Sequence, residues 1–125
     1  MPARIVIVHD DEDFIRNIGA ALQSAGHDVM VFKDPLLAHD AIEAAQRIEV
    51  LITRSTFPHG RSNGVSLVRM TRSKRPGVKV LFVALEEYQS LVEGLGAFLP
   101  LSASAERVAV AVERMLADNS HQFQQ

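Results

Sequence analysis

The chain has 125 residues, of which 47% are hydrophobic, and a formal net charge of −2 at pH 7, which is typical of one globular domain with its own core. It contains no cysteine, and this excludes a disulfide framework, a thiolate metal site and a cysteine nucleophile. Its apolar runs are short, so we expect no transmembrane helix, no signal peptide and a cytoplasmic location.

The first half of the sequence alternates strand-like and helix-like patterns. The β-branched run 4–8 predicts a first strand. From Phe14 onward, apolar residues recur at three- and four-residue steps and predict a helix that ends at Gly26. A second strand is predicted over residues 28–32, and Asp34 followed by proline is a typical helix start.

The central stretch, residues 49–58, begins as an unbroken apolar run and continues as a loop that contains Pro58. A run without alternation suits a strand that is covered on both faces, as in the centre of a parallel sheet. In an open α/β sheet, the residue that follows such a strand points into the ligand crevice at the carboxyl edge. That residue is Arg54. The function therefore depends on what an arginine side chain can do in the predicted crevice.

The second half continues the alternation. Its apolar runs and helical spacings predict a third helix over residues 65–74, a fourth strand over 78–84, a short fourth helix over 86–95, a fifth strand over 97–99 and a last helix capped by Ser102 or Ser104. We expect residues 1–118 to form one domain and residues 119–125 to form a polar tail.

Five strand–helix units with short connections predict an α/β fold with a doubly wound parallel sheet. The alternation is compatible with either doubly wound order. Five strands in 125 residues favour the flavodoxin-like (βα)5 arrangement with strand order 2-1-3-4-5, whose crevice lies between strands 1 and 3. His9, Asp10 and Arg54 would converge in that crevice.

Over nearly its whole length, the chain resembles the receiver domains of two-component response regulators. The shared features are an apolar first strand followed by acidic residues, Phe14, Gly26, Pro58 four residues after Arg54, Gly64 at the start of the third helix and Phe98 in the fifth strand. The resemblance implies two adjacent carboxylates that hold Mg²⁺ after strand 1 and an aspartate that accepts a phosphoryl group after strand 3. It also implies a serine or threonine after strand 4 and a lysine after strand 5, which contact that group.

Several of these positions carry other residues, so the resemblance implies a degenerate phosphorylation site. If Phe14 and Gly26 fix the register, the metal-binding pair is His9 and Asp10; a shift of one residue would make it Asp10 and Asp11. The phospho-acceptor, Ser/Thr and Lys positions are occupied by Arg54, Ala84 and Leu101, with Pro100 as the nearest alternative to Leu101. We therefore expect no enzymatic activity, no metal and no cofactor.

The chemistry of the residues agrees. Arginine stays protonated and cannot act as a nucleophile, and Mg²⁺ requires several oxygen ligands. A guanidinium at position 54 can supply positive charge through a forked bond to Asp10 or Asp11. His9 has no second histidine at metal-ligand spacing, so we expect it to be hydrogen-bonded at the crevice.

The favoured function is a stand-alone protein-interaction module in phosphorelay signalling, with a histidine kinase, a response regulator, an output protein or a second copy as its partner. Its surface would include Arg107 and Arg114 of the last helix. Phe98, the switch position in the family, should hold one conformation because Ala84 has no hydroxyl group.

Two alternatives remain open. The chain could be a receiver that a histidine kinase still phosphorylates on Asp10 or Asp11. It could also be a polyanion-binding module, since residues 50–85 contain no acidic side chain and carry a possible anion-binding set formed by Arg61, Arg69, Arg72 and Arg75. We do not expect nucleic acid or a membrane as the partner.

Overall fold

Five parallel strands form the centre of the fold, in the order β2-β1-β3-β4-β5. The computed structural model describes residues 2–55 and 63–118. The strands are β1 (Arg4–Val8), β2 (Asp28–Phe32), β3 (Val50–Thr53), β4 (Lys79–Ala84) and β5 (Ala97–Pro100). The predicted flavodoxin-like topology is therefore confirmed, including the strand order. Pro58 and the predicted tail, residues 119–125, lie outside the described residues.

Four α-helices pack on the sheet, and their ends follow the capping signals of the sequence. They are α1 (Glu12–Ser24), α2 (Pro35–Ala44), α3 (Gly64–Lys74) and α4 (Ala105–Asp118). The side chains of Asp11 and Asp34 accept hydrogen bonds from backbone N–H groups of the first turns of α1 and α2. Ser104, rather than Ser102, caps α4, because its hydroxyl accepts from the backbone N–H of Arg107.

A short helix begins at Glu86 as predicted, but it is a 3₁₀ helix and it ends at Val92, three residues before the predicted end at Leu95. Residues Glu86–Val92 form a 3₁₀ helix whose only buried residue is Val92, and Gly94 follows with a φ of 83°. Most helical stability in proteins comes from packing an apolar face. A segment with one buried side chain and no side-chain cap at Leu85 has little to hold a longer α-helix, and short 3₁₀ turns are common in such connections.

The core consists of two apolar layers, one on each face of the sheet. Successive residues of β3 alternate between them: Val50 and Ile52 pack in the layer under α1 and α4, and Leu51 packs in the layer under α2 and α3. All three side chains have no exposed surface. Burial on both faces explains why the central strands are unbroken apolar runs.

Gly64 sets the position of α3 against the end of β3. A Cβ atom at Gly64 would lie 1.6 Å from the carbonyl oxygen of Arg54, so no other residue fits without displacing that backbone. The backbone N–H of Gly64 donates to the carbonyl of Ser55 at 3.0 Å. The start of α3 thus fixes the backbone of Arg54, the residue at the predicted crevice. In the two described segments, no helix has the length and apolar character needed to span a membrane.

Candidate functional site

The carboxyl ends of β1 and β3 bring Asp10 and Arg54 into direct contact. The two strands are neighbours, with Val8 paired to Thr53, and each residue lies just beyond its strand. The Nη1 atom of Arg54 donates to Oδ1 of Asp10 at 2.5 Å. The side chain of Arg54 is 20% exposed and that of Asp10 is 31% exposed. The ion pair predicted between these two residues is therefore present, at the crevice between strands 1 and 3.

The charge of Arg54 keeps Asp10 ionised. Partial burial of the carboxyl group acts to raise the pKa of Asp10, but the hydrogen bond and the positive charge of Arg54 prevail and lower that pKa below its ordinary value. The cation facing Asp10 in this crevice is thus a covalently attached guanidinium. Unlike a metal ion, it cannot dissociate.

Asp11 caps the start of α1. Its Oδ1 atom accepts from the backbone N–H of Phe14 at 3.0 Å, and the carboxylate lies at the positive end of the helix. Asp10 and Asp11 are adjacent in sequence but have different roles, because one faces Arg54 and the other caps the helix.

His9 lies beneath this pair as a buried, neutral imidazole. It has no exposed surface. Its Nε2–H donates to the carbonyl of Val83 at 3.2 Å, and its Nδ1 accepts from the backbone N–H of Asp11 at 3.2 Å. Its ring also stacks on Phe14, with 4.3 Å between the ring centroids. The predicted hydrogen-bonding role is confirmed, since His9 joins β1, β4 and the start of α1.

Burial determines the charge of His9. Loss of hydration lowers the pKa of the imidazole to about 4, so the 3.9 Å approach of its Nδ1 to Asp10 is not an ion pair at neutral pH. Both ring nitrogens are occupied, which leaves none to ligate a metal. Among the described residues, no three His, Cys, Asp or Glu side chains are grouped so that they could hold a metal ion.

Ala84 and Leu101 contribute no polar side-chain atom to the crevice. Ala84 is the last residue of β4, with only 2% of its surface exposed. Its carbonyl accepts from the backbone N–H of Leu101 at 2.9 Å. The side chain of Leu101 packs against the apolar layer under α1 and α4, so it covers the core.

Two hydroxyl residues next to Arg54 had no predicted role. The Oγ1 atom of Thr53 donates to the carbonyl of Arg54 at 2.9 Å. Ser55 is fully buried, and its carbonyl accepts from the backbone N–H groups of Gly64 and Val65. These contacts hold the backbone on both sides of Arg54. No spacing or motif in the sequence signals this role for Thr53 or Ser55.

Phe98 belongs to the other layer of the core. It is paired with Phe82 across β4 and β5, it is half-buried, and it packs against the cluster that contains Phe82 and Val92. Whether it keeps a single rotamer stays a prediction.

The predicted anion-binding arginines do not form one cluster. Arg75 donates to the backbone carbonyls of Ile42 and Ala45 at the end of α2, and Arg72 donates to the carbonyl of Leu95. Arg69 lies on the exposed face of α3, and Arg61 lies outside the described residues. Arg72 and Arg75 thus tie α3 to two different neighbouring segments and do not line one shared surface along that helix.

Comparison with known proteins agrees with this fold. No family model matches the chain. The transcriptional regulatory protein LnrK of Bacillus subtilis (strain 168) is 28% identical over 112 residues, covering 86% of this chain and 51% of LnrK. The chain thus spans about half the length of that relative.

Solved structures show the same arrangement of elements. NtrX from Brucella abortus has a TM-score of 0.86 at 21% identity, over 99% of this chain and 29% of NtrX. The chemotaxis response regulator CheY4 of Vibrio cholerae has a TM-score of 0.80 at 22% identity, over 92% of this chain and 99% of CheY4. A CheY-like receiver domain protein from Methanospirillum hungatei JF-1 has a TM-score of 0.83 at 19% identity, over 98% of this chain and 99% of that protein. The chain therefore has the fold of response regulator receiver domains.

The first prediction concerns the energy of the ion pair. Arg54→Gln, Asp10→Asn and the double variant form a double-mutant cycle. Urea unfolding at pH 7 should give a coupling free energy of about 1–3 kcal/mol, a value between those of exposed and buried ion pairs. Arg4 and Asp28, which pair at 2.9 Å with 33% and 60% exposed side chains, provide a matched control. We expect the coupling of that surface pair to be below about 1 kcal/mol. A coupling near zero for Arg54 and Asp10 would mean that they do not support each other.

The second prediction concerns pH. The pKa of His9 is about 4 in the folded protein and 6.5 for a free histidine, so the unfolded chain takes up the proton first. The free energy of unfolding is therefore not reduced by His9 above about pH 6.5. It falls as the pH falls toward 4, and the loss is about 2 kcal/mol at pH 5. His9→Gln should remove this slope in urea unfolding measured from pH 7.5 to 5. His39→Gln, which changes a 43% exposed side chain, should retain it. An unchanged slope in His9→Gln would assign the pH dependence to other groups.

Proposed function

We propose that this chain is a receiver domain of two-component signalling that acts as a protein-interaction module and is not switched by aspartate phosphorylation. The observation that carries the proposal is the 2.5 Å contact between Arg54 and Asp10. It occupies the carboxyl end of β3, where the resemblance implies the phospho-acceptor. Phosphoryl transfer requires an in-line nucleophile and cations that neutralise the equatorial oxygens. Arg54 provides no nucleophile, and its charge is already committed to Asp10.

The residues at the Ser/Thr and Lys positions of the family also support a single conformational state. A ligand shifts an equilibrium only through contacts that differ between two states. Ala84 carries no hydroxyl group that could follow a phosphoryl group, and Leu101 carries no amine. Phosphorylation of Asp10 or Asp11 is the less favoured alternative, because Asp10 pairs with Arg54 and Asp11 caps α1. The module would accordingly bind its partner constitutively and have no enzymatic activity.

The proposed contact surface is the outer face of α4. Arg107 and Arg114 are exposed there, next to exposed Glu106 and Glu113, and Val110 between them is 45% exposed, so the face combines charges of both signs with an apolar centre. The partner would be a histidine kinase, a response regulator, an output protein or a second copy of the chain, and we infer that they meet in the cytoplasm.

The third prediction tests phosphorylation directly. Incubation with acetyl phosphate and Mg²⁺ should leave the intact mass of the protein unchanged, because position 54 offers no carboxylate. Arg54→Asp should also stay unmodified, since Ala84 and Leu101 remain in place of the groups that contact the phosphoryl. A receiver that is known to accept phosphate serves as the positive control. A stoichiometric gain of about 80 Da, the mass of one phosphoryl group, in the unaltered chain would refute the proposal.

The fourth prediction tests the contact surface. Reversing both charges with Arg107→Glu and Arg114→Glu should abolish association, because a charge reversal at an interface replaces attraction by repulsion. Sedimentation velocity reports self-association, and affinity capture from cell extract followed by mass spectrometry reports other partners. Arg69→Glu, an equally exposed change on α3, is the matched control and should bind normally. If Arg69→Glu loses binding and the α4 variant does not, the working face is α3.

A further inference from the structure

A cleft of about 360 Å³ lies at the amino ends of β3 and β4. Residues 46–49, which lead into β3, form one part of its lining. Arg75, Gly77 and Val78, which precede β4, the first residue of β4, Lys79, and Leu116 of α4 form the rest. Because the strands are parallel, this edge is opposite the one that carries Arg54 and Asp10. The volume lies within the range of about 300–1,000 Å³ that small-molecule sites occupy.

Positive charge dominates the rim of this cleft. Arg47, Arg75 and Lys79 line it together with one carboxylate, Glu49, so three cations face one anion. Glu49 is already paired: its Oε1 accepts from the backbone N–H of Arg4 at 2.5 Å, and its Oε2 lies 3.6 Å from Nε of Arg47, within the cleft itself. Arg75 and Lys79 are the two lining cations for which Glu49 provides no counter-charge. The cleft therefore carries an excess of two positive charges.

One of these cations is held rigidly. The guanidinium of Arg75 donates to the carbonyl of Ile42 at 2.9 Å and also to the carbonyl of Ala45. A side chain anchored at the end of α2 loses little further freedom when an anion arrives, and such preorganisation favours binding. Lys79 also lines a second cleft of about 180 Å³, together with Arg72 and Asp118.

The floor of the 360 Å³ cleft is apolar. Ile48 and Val78 are 7% and 4% exposed, and Leu116 is half-buried beside them. The flat apolar part of a ligand could pack on these side chains while its charged part contacts the cationic side chains at the edge of the cleft. This combination of an apolar surface and a few convergent charges is the usual composition of a small-molecule site.

We propose that the cleft binds a small phosphate monoester that carries a flat ring, the chemistry of a nucleoside monophosphate. The phosphate would meet Lys79 and the two arginines, and the ring would pack on the half-buried side chain of Leu116, beside Ile48 and Val78. This site is independent of the proposed signalling role, because it uses none of the residues around Arg54 or on the outer face of α4.

The test uses AMP, without added metal, in amide-detected NMR titrations at low ionic strength. We expect shifts confined to residues 46–49 and 75–79, and weaker binding of adenosine and of inorganic phosphate than of AMP. Lys79→Gln should weaken AMP binding by about five- to tenfold, the loss expected for one charge-assisted contact. Arg47→Gln is a second variant with the same expectation. Arg69→Gln, which removes an equal charge outside the cleft, should bind AMP as the unaltered chain does.

Three results would overturn the proposal. The first is no saturable shift at millimolar AMP. The second is equal weakening by Arg69→Gln and Lys79→Gln, which would indicate attraction to net charge alone. The third is inorganic phosphate binding as tightly as AMP, which would remove the role of the apolar floor. These three results are distinct from a failure of the signalling proposal, because that proposal is tested by phosphorylation and by partner binding.

Discussion

The ion pair between Arg54 and Asp10 is the interaction on which the rest of the crevice depends. Parallel strands deliver polar residues to one edge of the sheet, and here β1 delivers Asp10 and Asp11 together. Clustered carboxylates need a cation nearby, because like charges at short range disfavour ionisation. A metal ion would provide an exchangeable charge, whereas a guanidinium provides a permanent one. The 2.5 Å contact therefore gives Asp10 a counter-charge that is part of the chain itself.

The surrounding structure holds this pair in place. The backbone N–H of Arg54 donates to the carbonyl of Val8 at 3.4 Å, which extends the pairing of β1 and β3 by one residue. Gly64 packs against the carbonyl of Arg54, and Thr53 donates to the same carbonyl. Below, the neutral ring of His9 spans from β1 to Val83 of β4. The backbone of Arg54 is thus held from several directions, which places its side chain opposite Asp10.

Features encoded by local patterns could be predicted from the sequence. The parallel sheet followed from the alternation of elements, its strand order from the presence of five strands in 125 residues, and the contact of Arg54 with Asp10 from strand adjacency. Other features depend on contacts between residues far apart in the chain. Arg75 reaches Ile42, 33 positions away, and no periodic pattern marks such a bond, so its structural role was missed. The 3₁₀ helix at Glu86–Val92 was missed because helix type there depends on how little of the segment the core can cover. The amino-edge cleft likewise arises from two connections that are adjacent only in the folded chain.

The central claim, that Arg54 supplies the counter-charge of Asp10, can be tested by following the side-chain carboxyl carbon of Asp10 by ¹³C NMR during an acid titration. We expect the pKa of Asp10 in the unaltered chain to lie below the ordinary aspartate value of about 3.9. In Arg54→Gln it should rise, because partial burial then acts on the carboxylate without the opposing cation. A pKa of Asp10 that is ordinary in the unaltered chain, and that does not move when Arg54 is replaced, would contradict the claim.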